Sequence, residues 1–340
     1  MNRLPAFDAA QFDTQFAADV LHGLSRPQKT LPCTWLYDMR GSELFVEITG
    51  LEEYYPTRSE VGILQRSAGE IAAHIAPRAT LVEFGSGSSL KTPLLLGALA
   101  QPQAYLPIDI SAQFLHESLQ PLRARFPTVQ CRPLVADFSK QEAMRRLRQM
   151  LDGAGPRVGF FPGSTIGNFT PPEATWFLRQ AADALGPGAM LVIGVDSTTD
   201  AGVLVPAYDD ARGVTAAFNL NLLVRINREL GGTFRLGGFR HQARYNREQG
   251  RIEMHLVSQV AQEVEVLDRR IVFVPGETIH TENSYKYSEV KFEQMAHAAG
   301  WRHLAKWMEP GSERGHFGVH LLQSAPAGQI NLNSQEQSHA

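Results

Sequence analysis

Between residues 80 and 196 short apolar segments alternate with amphipathic ones five times over, and this rhythm constrains the fold more than any other feature of the chain. Residues 80–84, 104–109, 129–135, 158–161 and 190–196 read as strands, and 91–100, 111–125, 140–152 and 172–185 as helices. Strands that are apolar along their whole length are buried on both faces, which implies a parallel sheet covered by helices. Right-handed crossovers then give an α/β, doubly wound, Rossmann-like sheet.

The flanking segments follow other rhythms. Phe7, Phe12, Phe16, Val20, Leu21 and Leu24 recur at helical spacing over 7–25, and a second helical stretch covers about 40–50. The turn-like Glu53-Tyr54-Tyr55-Pro56-Thr57-Arg58 precedes a helix from Ser59, whose Ile63, Ala68, Ile71, Ala72 and Ile75 form a buried stripe. Beyond Asp196, residues 203–231 look helical, and 241–245, 251–260 and 264–274 look strand-like. Asn246-Arg247-Glu248-Gln249-Gly250 has the composition of a hairpin turn. The chain is expected to rejoin the sheet at about 287, with a helix over 288–299 and strands at 302–308 and 316–323. The expected organisation is a sheet domain of 57–196 plus 287–324 and an inserted α+β substrate-binding lobe of 7–56 plus 197–286. The Gln-, Asn- and Ser-rich residues 325–340 read as a disordered tail.

Composition narrows the function classes. A formal charge of −3 with no long single-sign run argues against a nucleic-acid or anionic-membrane surface. Cys33 and Cys131 are the two cysteines, so a disulfide framework and a zinc ribbon are excluded and a reducing compartment is the natural setting. There is no apolar signal core and no run of about 18 apolar residues, so a soluble, cytoplasmic protein is expected.

In an open α/β sheet ligands bind beyond the carboxyl ends of the strands. Glu83-Phe84-Gly85-Ser86-Gly87 ends the first strand, and its glycines permit a sharp turn and leave room for a ligand. A dinucleotide fingerprint would carry a third glycine where Leu90 stands, which disfavours an NAD-dependent oxidoreductase. Asp109, at the end of the second strand, can accept from ribose hydroxyls. Asp137, after the third, can accept from the adenine amine, and Phe138 can stack on the ring. Each of these acids can also serve as an ordinary helix cap. Three at successive strand ends point to an adenosyl ligand. Lys91 opens the first helix and faces either the carboxylate of that ligand or solvent. Gly163-Ser164-Thr165-Ile166-Gly167-Asn168 follows the fourth strand, where a transferable methyl would meet its acceptor.

Together these blocks resemble the histidine-specific Nα-methyltransferases of ergothioneine biosynthesis. The resemblance runs from Trp35-Leu36-Tyr37-Asp38 to Gly315-His316-Phe317-Gly318. It includes Ala207-Tyr208-Asp209-Asp210, Arg251-Ile252-Glu253-Met254 and Thr281-Glu282-Asn283-Ser284-Tyr285-Lys286-Tyr287. It implies a Rossmann-like class I methyltransferase sheet and S-adenosylmethionine as co-substrate, with no metal. The expected product is the trimethylated betaine hercynine, made by a monomer acting on free L-histidine with no nucleic-acid or membrane partner. It further implies that Asn168 and Tyr208 hold the substrate carboxylate, that Glu282 and Ser284 face the imidazole, and that Tyr54, Met254 and Tyr37 complete the wall of a pocket between domain and lobe. Residue chemistry agrees: Glu282 can accept an imidazole N–H, and residues i and i+2 of an extended segment point the same way. Glu83, Gly85, Gly87, Lys91, Asp109, Asp137 and Phe138 are the cofactor candidates, and no general base is assigned. The rival readings are a same-fold N-methyltransferase acting on another amino acid such as a tryptophan derivative, the oxidoreductase, and a noncatalytic adenosyl-binding protein.

Overall fold

The structure, a computed structural model, describes residues 9–87, 90–309 and 317–325. Phe7, Ser88-Ser89, His316 and the expected tail beyond Ala325 lie outside the described residues. By their internal contacts the residues form two compact units, Pro56–Thr198 with Lys286–Ala340, and Met1–Tyr55 with Thr199–Tyr285.

The first unit is built on one sheet. Its strands are β1 (Thr80–Phe84), β2 (Ala104–Asp109), β3 (two short pieces, Gln130–Cys131 and Leu134–Val135), β4 (Arg157–Phe161), β5 (Met190–Asp196), β6 (Trp301–Met308) and β7 (Phe317–Ser324). Across the sheet the order is β3-β2-β1-β4-β5-β7-β6. β1 to β5 are parallel, and β7 runs antiparallel to both its neighbours. That order, with its reversed seventh strand, is the class I methyltransferase variant of the Rossmann-like sheet. The third strand was expected to be continuous over 129–135; Pro133, which has no N–H to give to a ladder, divides it.

Strand alternation sorts the core. Leu81, Tyr105, Val158, Phe160 and Val192 pack with Ile63, Leu64 and Ile71 of helix Tyr55–Ala73, with Leu95 and Leu96 of Thr92–Ala98 and with Leu115, Leu119 and Leu122 of Ala112–Arg125. Phe84 and Phe161, of opposite side-chain parity, meet Phe177 of helix Pro171–Leu185 at ring distances of 5.3 and 4.5 Å. The helix expected from Ser59 begins instead at Tyr55, because Pro56 falls in its first turn, where a missing N–H costs nothing.

The second unit carries a four-stranded sheet in the order Lys29–Thr30, Thr278–Tyr285, Arg251–Ser258, Phe239–Asn246. Its core holds Phe16, Trp35, Phe218, Phe234, Phe239 and Phe273. Two expectations need correction here, and one strand was not foreseen. The helix over 203–231 is two helices, Ala201–Tyr208 and Val214–Leu230. Between them Asp210 accepts from the amides of Val214 (3.0 Å) and Thr215 (2.7 Å) and starts the second helix afresh. The strand over 264–274 is a hairpin, Gln262–Val266 and Arg269–Phe273, turned by Leu267 at φ 52°. Strand Thr278–Tyr285 was not read as an element because its polar side chains break the apolar alternation.

Where the chain leaves and rejoins the first unit, the Tyr287 amide donates to the Asp196 carbonyl (3.0 Å) and Lys286 Nζ lies 2.8 Å from Asp196 Oδ2. Both charged side chains are sealed from solvent, at 1% and 0% exposure, so neither can exchange its partner for water. Cys33 and Cys131 are free thiols. Among the described residues no helix is long and apolar enough to cross a membrane.

Candidate active site

Sheet order reverses at β1, which has β2 on one side and β4 on the other, and ligands bind at such a switch point. After β1 the chain turns through Gly85 (φ 75°) and Gly87 (φ 48°), a backbone region costly for residues with a Cβ. A Cβ on Gly85 would lie 3.5 Å from the Phe138 ring, whereas none of the described atoms lies within 4 Å of a Cβ position on Gly87. Asp109 binds this turn directly. Its Oδ2 accepts from the Gly87 amide (3.0 Å) and its Oδ1 from the Ser111 amide (3.1 Å). Burial raises the Asp109 pKa, and these amide bonds oppose the rise.

Asp137 Oδ1 accepts from both the amide (2.9 Å) and the hydroxyl (2.6 Å) of Ser139. Phe138 stands edge-on to Phe84, Phe161, Phe169 and Phe177, with centroids 5.7 to 6.3 Å apart, and remains half-buried. Asp109 is thus bonded directly to the turn at Gly87, and the Phe138 ring lies on the side of Gly85 that a Cβ would face.

Glu83 and Lys91 have different surroundings. Glu83, 1% exposed, accepts on Oε2 from Thr92 (2.7 Å) and Tyr105 (2.5 Å), which ties β1 to β2 and to the helix after the glycine turn. Burial pushes its pKa up to about 8. Lys91 is paired with Glu60, Nζ to Oε2 2.5 Å, a residue that the sequence reading did not single out. The same Oε2 accepts from the Gly163 amide (2.7 Å), so one fully buried carboxylate links the β1 and β4 loops. A Cβ on Gly194 of β5 would come within 2.1 Å of Glu60 Oε1, so glycine makes room for that carboxylate. The signal that could have found Glu60 is its place one turn before Ile63 and Leu64, on the buried stripe of its helix.

Beyond β4, Gly163 (φ 80°) and Ser164 (φ 55°) turn the chain into the short helix Thr165–Asn168. Ser164 Oγ accepts from the Asp196 amide (3.0 Å) and fixes this turn to the end of β5. Asn168 ends the short helix, half-buried, in the same unit as the cofactor candidates.

The remaining substrate candidates belong to the second unit. The Tyr208 hydroxyl donates to Ser284 Oγ (2.8 Å), and Tyr54 meets Tyr208 with ring centroids 6.0 Å apart. Phe45 packs edge-on to both Tyr37 (5.5 Å) and Tyr54 (6.1 Å). Burial first, and next the nearby Glu282 charge, hold the Tyr37 hydroxyl well above its ordinary pKa. Glu282 is opposite Met254, and Ser284 opposite Ile252, in the antiparallel pair. Tyr54, Tyr208, Met254, Glu282 and Ser284 thus form a buried aromatic and polar group, with Tyr37 partly buried beside it. Sequence reading also passed over His241. It donates from Nε2 to the Tyr208 carbonyl (2.7 Å) and accepts on Nδ1 from Asn219 (2.9 Å), holding the end of the helix that carries Tyr208.

Comparison with known proteins gives the family. The profile of the family described as "Histidine-specific methyltransferase, SAM-dependent" matches residues 16–324. The chain is 41% identical over 325 residues to the histidine N-alpha-methyltransferase of Mycolicibacterium smegmatis, covering 94% of this chain and 97% of that one. It is 41% identical over 309 residues to the enzyme of the same name from Mycobacterium tuberculosis, covering 89% and 93%. Ergothioneine biosynthesis protein 1 of Neurospora crassa is 32% identical over 306 residues, which are 86% of this chain and 33% of that longer protein. The chain belongs to the histidine-specific, S-adenosylmethionine-dependent methyltransferase family.

Proposed function

We propose that this family member transfers three methyl groups in succession from S-adenosylmethionine to the α-amine of free L-histidine, giving hercynine at the start of ergothioneine biosynthesis. The observation that carries the substrate choice is the buried group formed by Tyr208, Ser284 and Glu282, three polar side chains around apolar and aromatic walls. A buried polar wall favours a ligand with matching donors and acceptors, and an imidazole offers both while an indole offers a donor alone. That disfavours a tryptophan-type acceptor.

On this reading Gly87, Asp109 and Phe138 hold the adenosyl moiety. Their geometry suits it: no described atom within 4 Å of a Cβ position on Gly87, a carboxylate at the strand end and an aromatic ring beside Gly85. S-adenosylmethionine supplies an electrophilic methyl on a sulfonium. Each transfer forms an N–C bond with the amine lone pair as the C–S bond breaks and its electrons return to sulfur; after the first and second transfers the methylated ammonium releases a proton to water before the next. The amine must be neutral, and with an ordinary pKa of about 8 to 9 a small fraction is neutral near pH 7. Catalysis can then rest on alignment, to which Asn168 and Tyr208 contribute by holding the carboxylate, without a dedicated base. Lys91, already paired with Glu60, shapes the β1 loop and brings its charge to the carboxylate end of the cofactor. We further propose a monomer in the cytoplasm, a reducing compartment that suits the free thiols Cys33 and Cys131.

Isothermal titration separates the two halves of the assignment. Glu282→Ala should weaken histidine binding by more than about tenfold and leave cofactor affinity within about twofold, while Asp109→Ala should do the reverse. Equal loss of both ligands in either variant overturns that residue's role.

A further inference from the structure

The strand that carries Glu282 and Ser284 has a second polar surface. Its register against Arg251–Ser258 shifts between His280 and Glu282: His280 is opposite His255, Glu282 is opposite Met254, and Thr281 is the extra residue. Thr281 is fixed there by its hydroxyl, which donates to the Met254 carbonyl (3.1 Å). A bulge of this kind moves the residues on its two sides to opposite faces of the sheet. Glu282 and Ser284 therefore share a face with Met254, and His280 shares the other with His255 and Glu253.

On that other face the His255 and His280 rings stack, centroids 4.7 Å apart and 20° from parallel. Glu253 Oε2 lies 3.0 Å from His255 Nε2. Its other oxygen, Oε1, accepts from Arg251 Nε (2.8 Å) and Asn246 Nδ2 (3.0 Å), which fixes the carboxylate and leaves Oε2 toward the imidazoles. Among the described residues this is the one trio of His, Cys, Asp or Glu side chains whose ligand atoms all fall within 4.8 Å of one another. His255 is 4% exposed, and its Nδ1 has no hydrogen-bond partner, a buried lone pair of the sort that a metal or a donor would satisfy.

We propose that Glu253, His255 and His280 form a binding site for one divalent transition-metal ion, on the face of the strand pair opposite the Glu282 and Ser284 side chains. Two imidazoles and one carboxylate are borderline donors, suited to Zn²⁺, Ni²⁺ or Co²⁺ and poorly suited to Mg²⁺ or Ca²⁺, which take oxygen. Imidazoles must be neutral to ligate, and burial lowers the pKa of both, His255 to about 4. The Arg251–Glu253 contact orients the ligand from behind, as outer partners do in metal sites, while its positive charge limits affinity. The site is structural: an ion there would clamp the bulge between the two strands, and ligation through His280 Nε2 would replace that atom's contact with the Glu282 carbonyl (3.1 Å). It does not depend on the assignment of the substrate.

The test uses the full chain, stripped with a chelator and kept free of histidine and imidazole. Zn²⁺, Ni²⁺ and Co²⁺ are titrated separately by calorimetry, with Mg²⁺ as a control, and Co²⁺ binding is also followed by its visible absorption. One saturable ion per chain is expected, with a raised melting temperature. His280→Ala and Glu253→Gln should each weaken it by more than about tenfold. His280 is only partly buried, so its variant remains informative should His255→Ala fail to fold. His303→Ala, which removes half of the separate His303–His320 pair, should bind the ion as the parent does. The proposal is overturned by the lack of saturable binding, by binding that His280→Ala and Glu253→Gln leave unchanged, or by binding lost in His303→Ala.

Discussion

Glu83 is a carboxylate that the folded chain prefers to keep protonated. Its pKa moves from 4.5 to about 8 because burial outweighs the hydroxyls of Tyr105 and Thr92. A group whose folded pKa is raised takes up a proton on folding between the two values, so its contribution to stability is fully present below pH 4.5 and declines as pH rises toward 8. Glu83→Gln, which keeps an acceptor for both hydroxyls, should flatten the pH dependence of urea-unfolding stability across that window; a curve as steep as the parent's would contradict the assignment. Tyr208→Phe removes one buried hydrogen bond to Ser284. It should weaken histidine binding by roughly fivefold, about 1 kcal/mol, with cofactor affinity unchanged. A parent-like histidine affinity would remove the Tyr208 hydroxyl from substrate binding. At this scale the sequence showed Asp109 clearly, because a polar residue closing an apolar strand stands out. It hid Glu60, which sits on the apolar stripe of a helix and acquires meaning only when folding brings it to Lys91 and Gly163.

Elements were legible in proportion to how apolar they are. β1, β2 and β5 lie where their unbroken apolar runs place them, whereas β3 needed the missing N–H of Pro133 to be given its due. Strand Thr278–Tyr285 escaped because its side chains serve two polar surfaces, one on each side of a bulge, and so carry no simple hydrophobic period. The break between helices Ala201–Tyr208 and Val214–Leu230 was signalled by Asp209-Asp210 and Gly213, a capping acid and a turn glycine inside an otherwise helical pattern. The end of β5 and the returning segment are joined by Lys286 and Asp196. Removing one partner strands a buried charge, so Lys286→Met should cost about 3 kcal/mol or more in urea unfolding, and adding Asp196→Asn should recover much of it. A loss below about 1 kcal/mol would show that the pair does not hold these two segments.

In the whole molecule, the change of rhythm after Asp196 marks where a nucleotide-type sheet gives way to different architecture, and the division of labour follows from it. Residues at strand ends, Gly85, Gly87, Asp109 and Phe138, are local to the sheet and could be read from motif spacing. The aromatic and polar group of Tyr37, Tyr54, Tyr208, Met254, Glu282 and Ser284 is drawn from segments far apart in the chain, so spacing alone could not assemble it, and only the family resemblance picked it out. Family membership fixes the chemistry as methyl transfer from S-adenosylmethionine with histidine specificity. The central claim adds the acceptor atom and the number of transfers. Mass spectrometry of the product formed from methyl-labelled S-adenosylmethionine, with histidine offered in a panel of free amino acids, tests both. The account predicts three labelled methyl groups on histidine alone, all on the α-nitrogen by fragmentation; methyl groups on the imidazole ring, or on another amino acid in preference to histidine, would contradict it.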